Sequence, residues 1–177
     1  MKVDTMLKSM FVFFFPGISD NTARKNLIRW LSLAALLIVL DQITKLWISS
    51  RFVYGESLRI MDHFNLVLAH NSGAAFSFLN DAGGWQRWMF SGIAIVAAIW
   101  IVRLLQQHAQ QKLFCLALTL VLGGALGNLI DRVAYGYVVD FLDFYWGSYH
   151  FPAFNVADSA ISVGAALLLL DSFRKPA

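Results

Sequence analysis

The chain has 177 residues, is 58% hydrophobic and 14% charged, and has a mean hydropathy of +0.60. Soluble domains carry about 25% charged residues, so this composition excludes a small soluble globule and places the chain in a membrane. The formal net charge of +3 comes with no basic patch interleaved with aromatics, which argues against nucleic acid as a partner, and the single cysteine, Cys115, excludes an internal disulfide.

Taken in order, the chain opens on "MFVFFFPGI", an apolar run stopped by Pro16 and Gly17. It is short for a secretory signal, and no small-residue cleavage site follows. Residues 1–26 are expected to form a cytoplasmic extension, interfacial or disordered, with Met6 and Met10 as alternative starts. Four apolar segments then have the length of about 20 residues that a bilayer demands. They cover about 27–48, 85–105, 113–132 and 152–173, the last beginning at Pro152, a favourable first-turn residue. Together they leave room for a single domain, 27–175. The expected fold is an all-α membrane protein of four transmembrane helices.

Between the first two helices, 49–84 has β-branched and aromatic residues, alternations such as "FNLVLAH", and turn residues at Gly55 and Gly73. Strand-like hairpins on the membrane surface are expected there. The connection 133–151 is rich in Tyr, Phe and Trp, as a layer at the headgroups would be. Basic residues set the orientation. With both termini and the 106–112 turn inside, nine Lys and Arg lie on the cytoplasmic side and five on the other. Both termini are therefore expected in the cytoplasm and 49–84 outside.

Polar residues interrupt these segments. Asp41 and Lys45 share a helix face at i, i+4 and read as an ion pair that neutralises itself, or as a clamp or substrate contact. Gly124, Asn128 and Arg132 fall at i, i+4, i+8, with Asp131 beside Arg132 as a local charge pair. Gly123, Gly124 and Gly127 permit close helix approach. Asp140 and Asp143 stand among aromatics in "YVVDFLDFYW"; alone, each reads as an ordinary loop aspartate. Asn155 and Asp158 share a face of the fourth segment. Counted from Pro152, Asp158 lies about two turns in, beyond the reach of the helix dipole. Asn71 and Gly73 suggest a tight turn.

His63, His70, His108 and His150 are scattered without metal-ligand spacing. The reactive groups at the outer face are thus carboxylates and amides. Two aspartates in a partly dry site cannot both ionise comfortably, and such a pair can activate a water and protonate a leaving amine. Asp140 and Asp158 are the natural pair. Two other classes compete. A small transporter would use intramembrane Asp and Arg, but the chain has no internal repeat. An assembly factor would use the polar groups only to join helices.

Five motifs carry a family resemblance: "DQITK" (41–45), "NSGAAFSFL" (71–79), "GGALGNLIDR" (123–132), "YVVDF" (137–141) and "FPAFNVADSAI" (151–161). In this order they resemble the lipoprotein signal peptidases, or signal peptidase II. The resemblance implies an aspartic endopeptidase of the bacterial inner membrane with a small extracytoplasmic β-cradle. It would cut diacylglyceryl-modified prolipoproteins before the lipobox cysteine. Asp140 and Asp158 would be catalytic. Asn71, Gly73, Asn128, Arg132 and Asn155 would hold substrate or position the pair. Asp41, Lys45 and Asp131 would be structural. The resemblance further implies inhibition by the cyclic peptide globomycin; no metal or cofactor, contact with membrane lipid and action as a monomer are also expected. Space around Gly123, Gly124, Gly127 and Gly164 is expected to admit the substrate helix.

Overall fold

The computed structural model describes residues 21–73 and 83–174. Residues 1–20 of the expected extension, residues 74–79 of the second motif and the domain end at 175 lie outside the described residues.

Four helices are long and apolar enough to cross a membrane. They are α1 (Asn21–Arg51), α2 (Trp85–Gln107), α3 (Lys112–Ala134) and α4 (Val156–Arg174). Their large apolar residues, among them Leu36, Ile43, Val96, Trp100 and Leu169, stay exposed on the bundle's outside, where lipid replaces water as solvent. α1 begins at Asn21, not at residue 27. Its first turns are held to the α2–α3 turn by Asn26 Nδ2 donating to Gln110 Oε1 (2.9 Å) and Trp30 Nε1 donating to Ala109 O (3.2 Å). At about 1.5 Å per residue it exceeds the roughly 30 Å hydrocarbon layer, so its ends overhang.

α3 is the central helix, and half of its most apolar window is buried. Its glycines explain why. A Cβ on Gly123 would lie 2.7 Å from Leu37 of α1, and one on Gly124 would collide with the Ala157 carbonyl of α4. Gly164 of α4 packs equally closely on Ala117 O of α3. These glycines are filled by helix–helix contact. They leave no room for an incoming substrate helix, contrary to the expectation from sequence.

The fourth helix starts at Val156 rather than Pro152, which changes the reading of Asp158. Asn155 caps the helix: its Oδ1 accepts from Asp158 N (2.9 Å), and Asp158 Oδ2 accepts from Asn155 N (3.3 Å). Asp158 thus sits in the first turn, within reach of the N-terminal dipole.

Four strands form an antiparallel sheet in the order β1-β2-β3-β4. They are β1 (Ser57–Met61), β2 (Phe64–Asn71), β3 (Val138–Trp146) and β4 (Tyr149–His150). The hairpin expected in 49–84 is β1–β2. The segment read as a headgroup layer supplies β3 and β4. In the β2–β3 register Ala69 faces Asp140 and Asn71 faces Val138. Ile48, Leu68, Val139 and Phe141 make an apolar cluster that fastens the sheet to the end of α1. A second cluster, around Leu27, Leu105, Leu118 and Leu122, closes the far end of the bundle.

Gly124→Ala places a methyl against a backbone carbonyl and is expected to cost about 1–3 kcal/mol of stability. Thermal unfolding in detergent checks this, and accumulation and activity should fall together. Normal accumulation with lost activity would return the space at Gly124 to the substrate.

Candidate active site

The polar residues collect where the last turns of α3, the last third of α1 and the first turn of α4 meet the sheet. Asp41, Lys45, Asn128, Asp131, Asp140 and Asn155 are all buried there. The Lys45 ammonium has three protons and finds three acceptors: Asp41 Oδ2 (2.8 Å), Asp131 Oδ2 (2.9 Å) and Asn128 Oδ1 (2.8 Å). Asp41 Oδ1 accepts from Ala157 N at the start of α4 (2.9 Å). Lys45 and Asp41 are therefore a clamp on three helices rather than a pair that only neutralises itself. Asp131 does not pair with Arg132. Besides Lys45, its carboxylate accepts from Val139 N (3.1 Å) and Gln42 Nε2 (2.9 Å).

Asp140 arrives on β3 and Asp158 on α4. Asp140 Oδ1 accepts from Asn155 Nδ2 (2.7 Å), and its Oδ2 accepts from Asn71 Nδ2 (3.1 Å). Asp158 Oδ1 accepts from Asn128 Nδ2 (2.7 Å). Asn155, which bonds to both aspartates, bridges them. Burial, and next the charge of Asp158, push the Asp140 carboxyl up to about 7, against the opposing hydrogen bonds of Asn71 and Asn155 and the charge of Lys45.

Both aspartates line a cavity of about 720 Å³. Asn71, Asn128 and Arg132 complete its polar end; Phe151, Phe154, Ile161 and Val163 form an apolar wall. Val163 is half exposed on α4, so this apolar wall reaches the surface of the bundle. Asn71 makes the expected tight turn, its Oδ1 accepting from Gly73 N (3.1 Å), and Gly73 O accepts from Arg132 Nη2 (3.1 Å). The Arg132 guanidinium also lies over the Phe90 ring (5.2 Å). Among the described residues no group of three or more His, Cys, Asp or Glu is placed to hold a metal ion.

The structure thus brings all ten expected site residues, nine of them polar and the tenth Gly73, to one end of the bundle. The family model described as signal peptidase (SPase) II matches residues 33–174. The chain belongs to the signal peptidase II family. A lipoprotein signal peptidase of Ralstonia nicotianae is 61% identical over 146 residues, 82% of this chain and 84% of that one. One of Cupriavidus necator is 57% identical over 157 residues, 89% and 90% of the two chains. A solved structure of a bacterial membrane enzyme superposes with a TM-score of 0.74 at 34% identity, covering 82% of this chain and 88% of that one. As a signal peptidase II, the chain is a membrane-embedded peptidase.

Some residues of this peptidase escaped the sequence reading. Gln42 is one: it also donates to Gly127 O (3.2 Å), and its only sequence signal was its place inside "DQITK". Asp143 is not an exposed loop aspartate. It is buried, accepts from Asn65 Nδ2 (2.8 Å), and pairs with His150 Nδ1 (2.9 Å). This cluster holds β4 and the following segment against the sheet, away from the cavity's acids.

Because the Asp140 carboxyl is raised from 3.8 to about 7, the folded chain holds a proton there that the unfolded chain releases. Stability is lost as pH rises through that window. Asp140→Asn removes this loss, so its melting temperature relative to the unsubstituted chain is expected to be more favourable at pH 8 than at pH 4. An offset independent of pH would contradict the raised value.

Proposed function

We propose that the chain is an aspartic endopeptidase that removes the signal peptide from diacylglyceryl-modified prolipoproteins, cutting before the lipobox cysteine, with Asp140 and Asp158 as the catalytic pair. The observation that carries this reading is the convergence of the two carboxyls on one cavity whose other wall is apolar and reaches the surface of the bundle at Val163. A signal peptide is itself an apolar helix and would enter laterally, with the scissile bond at the polar end and the acyl chains remaining in lipid.

The chemistry follows from two carboxyls sharing one proton. The ionised member takes a proton from water as the water oxygen bonds to the scissile carbonyl carbon. The protonated member gives its proton to the carbonyl oxygen. The tetrahedral intermediate then collapses: the C–N bond breaks, the amine takes the proton held by the base, and the carbonyl oxygen returns the other. Asn71, Asn128 and Asn155 hold the two carboxyls in place, and Arg132 fixes the Gly73 carbonyl beside the cavity.

The same reading includes both termini in the cytoplasm, the site near the periplasmic face, and a monomeric enzyme with 27–175 as its single domain, extended at its start by the first turns of α1 (residues 21–26). The bias of basic residues supports the orientation. Globomycin is expected to occupy the cavity in competition with substrate.

Asp140→Asn and Asp158→Asn, made separately, are each expected to lower processing of a lipidated prolipoprotein by at least about 10³-fold with normal enzyme levels. Gel separation of precursor and mature bands is the measurement. Full maturation by both variants would overturn the assignment. Activity of the unsubstituted chain should be bell-shaped in pH, declining as pH rises past about 7, where Asp140 loses its proton.

A further inference from the structure

The two aspartates are not held alike, and the difference traces to Lys45. Asn128 Oδ1 accepts from Lys45 Nζ (2.8 Å) and from Asn155 Nδ2 (3.2 Å). Both lone pairs of that amide oxygen are occupied by donors. Rotating the Asn128 amide by half a turn would set its NH₂ against an ammonium and a second NH₂. The amide is thereby locked with Nδ2 toward Asp158 Oδ1 (2.7 Å). An amide whose oxygen is held by an ammonium is a polarised, stronger donor, and its hydrogen bond favours the ionised form of the carboxyl that it faces. The other Asp158 oxygen faces the Asn155 backbone N–H at the start of α4, where the helix dipole also favours an anion. Asp140 has no helix N-terminus, and its two donors, Asn155 Nδ2 and Asn71 Nδ2, are oriented by the neutral backbone N–H groups of Asp158 and Gly73 rather than by a cation. One of its two donors, Asn155 Nδ2, is shared with Asn128 Oδ1 and Val139 O (3.2 Å).

From this geometry we infer that Lys45 is a positioning residue of the reaction: through Asn128 it makes Asp158 the carboxylate that activates water and leaves the proton on Asp140. The inference rests on the aspartate pair proposed above. Lys45 touches neither aspartate of that pair; it acts through the amide it locks. Arg132, the cation that lines the cavity, spends its Nη2 on Gly73 O and does not touch Asn128 in this network. In the catalytic step the proton leaves water for Asp158 and the Asp140 proton passes to the carbonyl oxygen; as the C–N bond breaks, the Asp158 proton goes to the departing amine and the carbonyl oxygen returns the other to Asp140, so Lys45 neither gains nor loses a proton.

The test is the pH profile of cleavage by Lys45→Met, with kcat and KM measured on a lipidated prolipoprotein in detergent micelles. Freed of its lock, Asn128 no longer favours the ionised base. The acid limb of kcat is expected to move to higher pH by about one unit, a tenfold loss on that limb, with KM within about twofold. A profile that keeps its shape while the amount of folded enzyme falls would make Lys45 a stabilising residue only and overturn the inference. Lys45→Met/Asp131→Asn keeps the net buried charge and replaces the single variant if that one does not accumulate. Failure of both to fold counts against the inference in the same way. If Asp140→Asn and Asp158→Asn are themselves active, the pair is wrong. If they are inactive and Lys45→Met keeps the profile, only the role of Lys45 is wrong.

Discussion

A single ammonium group, buried where an apolar bundle meets its sheet, sets the conditions for everything around it. Lys45 is 3% exposed, and Asp41 and Asp131 are 0% and 1%. Charges this deep are tolerated only when every donor meets an acceptor, and removing one partner from such a set costs about 3–5 kcal/mol. The set joins α1 to α3, reaches the start of α4 through Asp41 and Ala157 N, and reaches β3 through Asp131 and Val139 N. The elements that carry Asp140 and Asp158 are therefore placed by the same buried charges.

That arrangement answers a problem peculiar to a protease acting at a membrane surface. The substrate is apolar and the reagent is water, so the site must face both. The fold separates the two needs within one cavity. Carboxyls and amides lie at the end near the sheet, and Phe151, Ile161 and Val163 line the apolar side. The close glycine contacts of α3 fill the space between it and its neighbours at Gly123, Gly124 and Gly127, and the cavity lies beyond them, between the end of α3, the start of α4 and the sheet.

Much of this was legible in the sequence. The four spans follow from length and hydropathy. The aspartate pair follows from an inventory that offered little except carboxylates and amides for chemistry. What the sequence hid depends on tertiary partners. Pro152 looked like a helix start, but Asn155 outcompetes it by capping, which moves Asp158 from the second turn to the first. "VVDFLDFYW" gave no clean alternation because Val138, Val139, Asp140 and Phe141 are all buried, between the bundle and the neighbouring strand, and only pairing with β2 makes it a strand. Asp131 stood beside Arg132 in sequence, yet consecutive residues on a helix point apart, and its partners come from α1 and β3. Asp143 was misread for the same reason: Asn65 and His150, which bury it, lie elsewhere in the chain.

The central claim is that one water, and then one tetrahedral carbon, lies between the carboxyls of Asp140 and Asp158. The most direct measurement is an experimental structure with a lipidated substrate peptide whose scissile amide is replaced by a hydroxyl-bearing isostere. The expected result places that hydroxyl within hydrogen-bond distance of both carboxyls, with the peptide's apolar helix along α4. A hydroxyl bound by only one of them, or seated elsewhere in the cavity, would contradict the account.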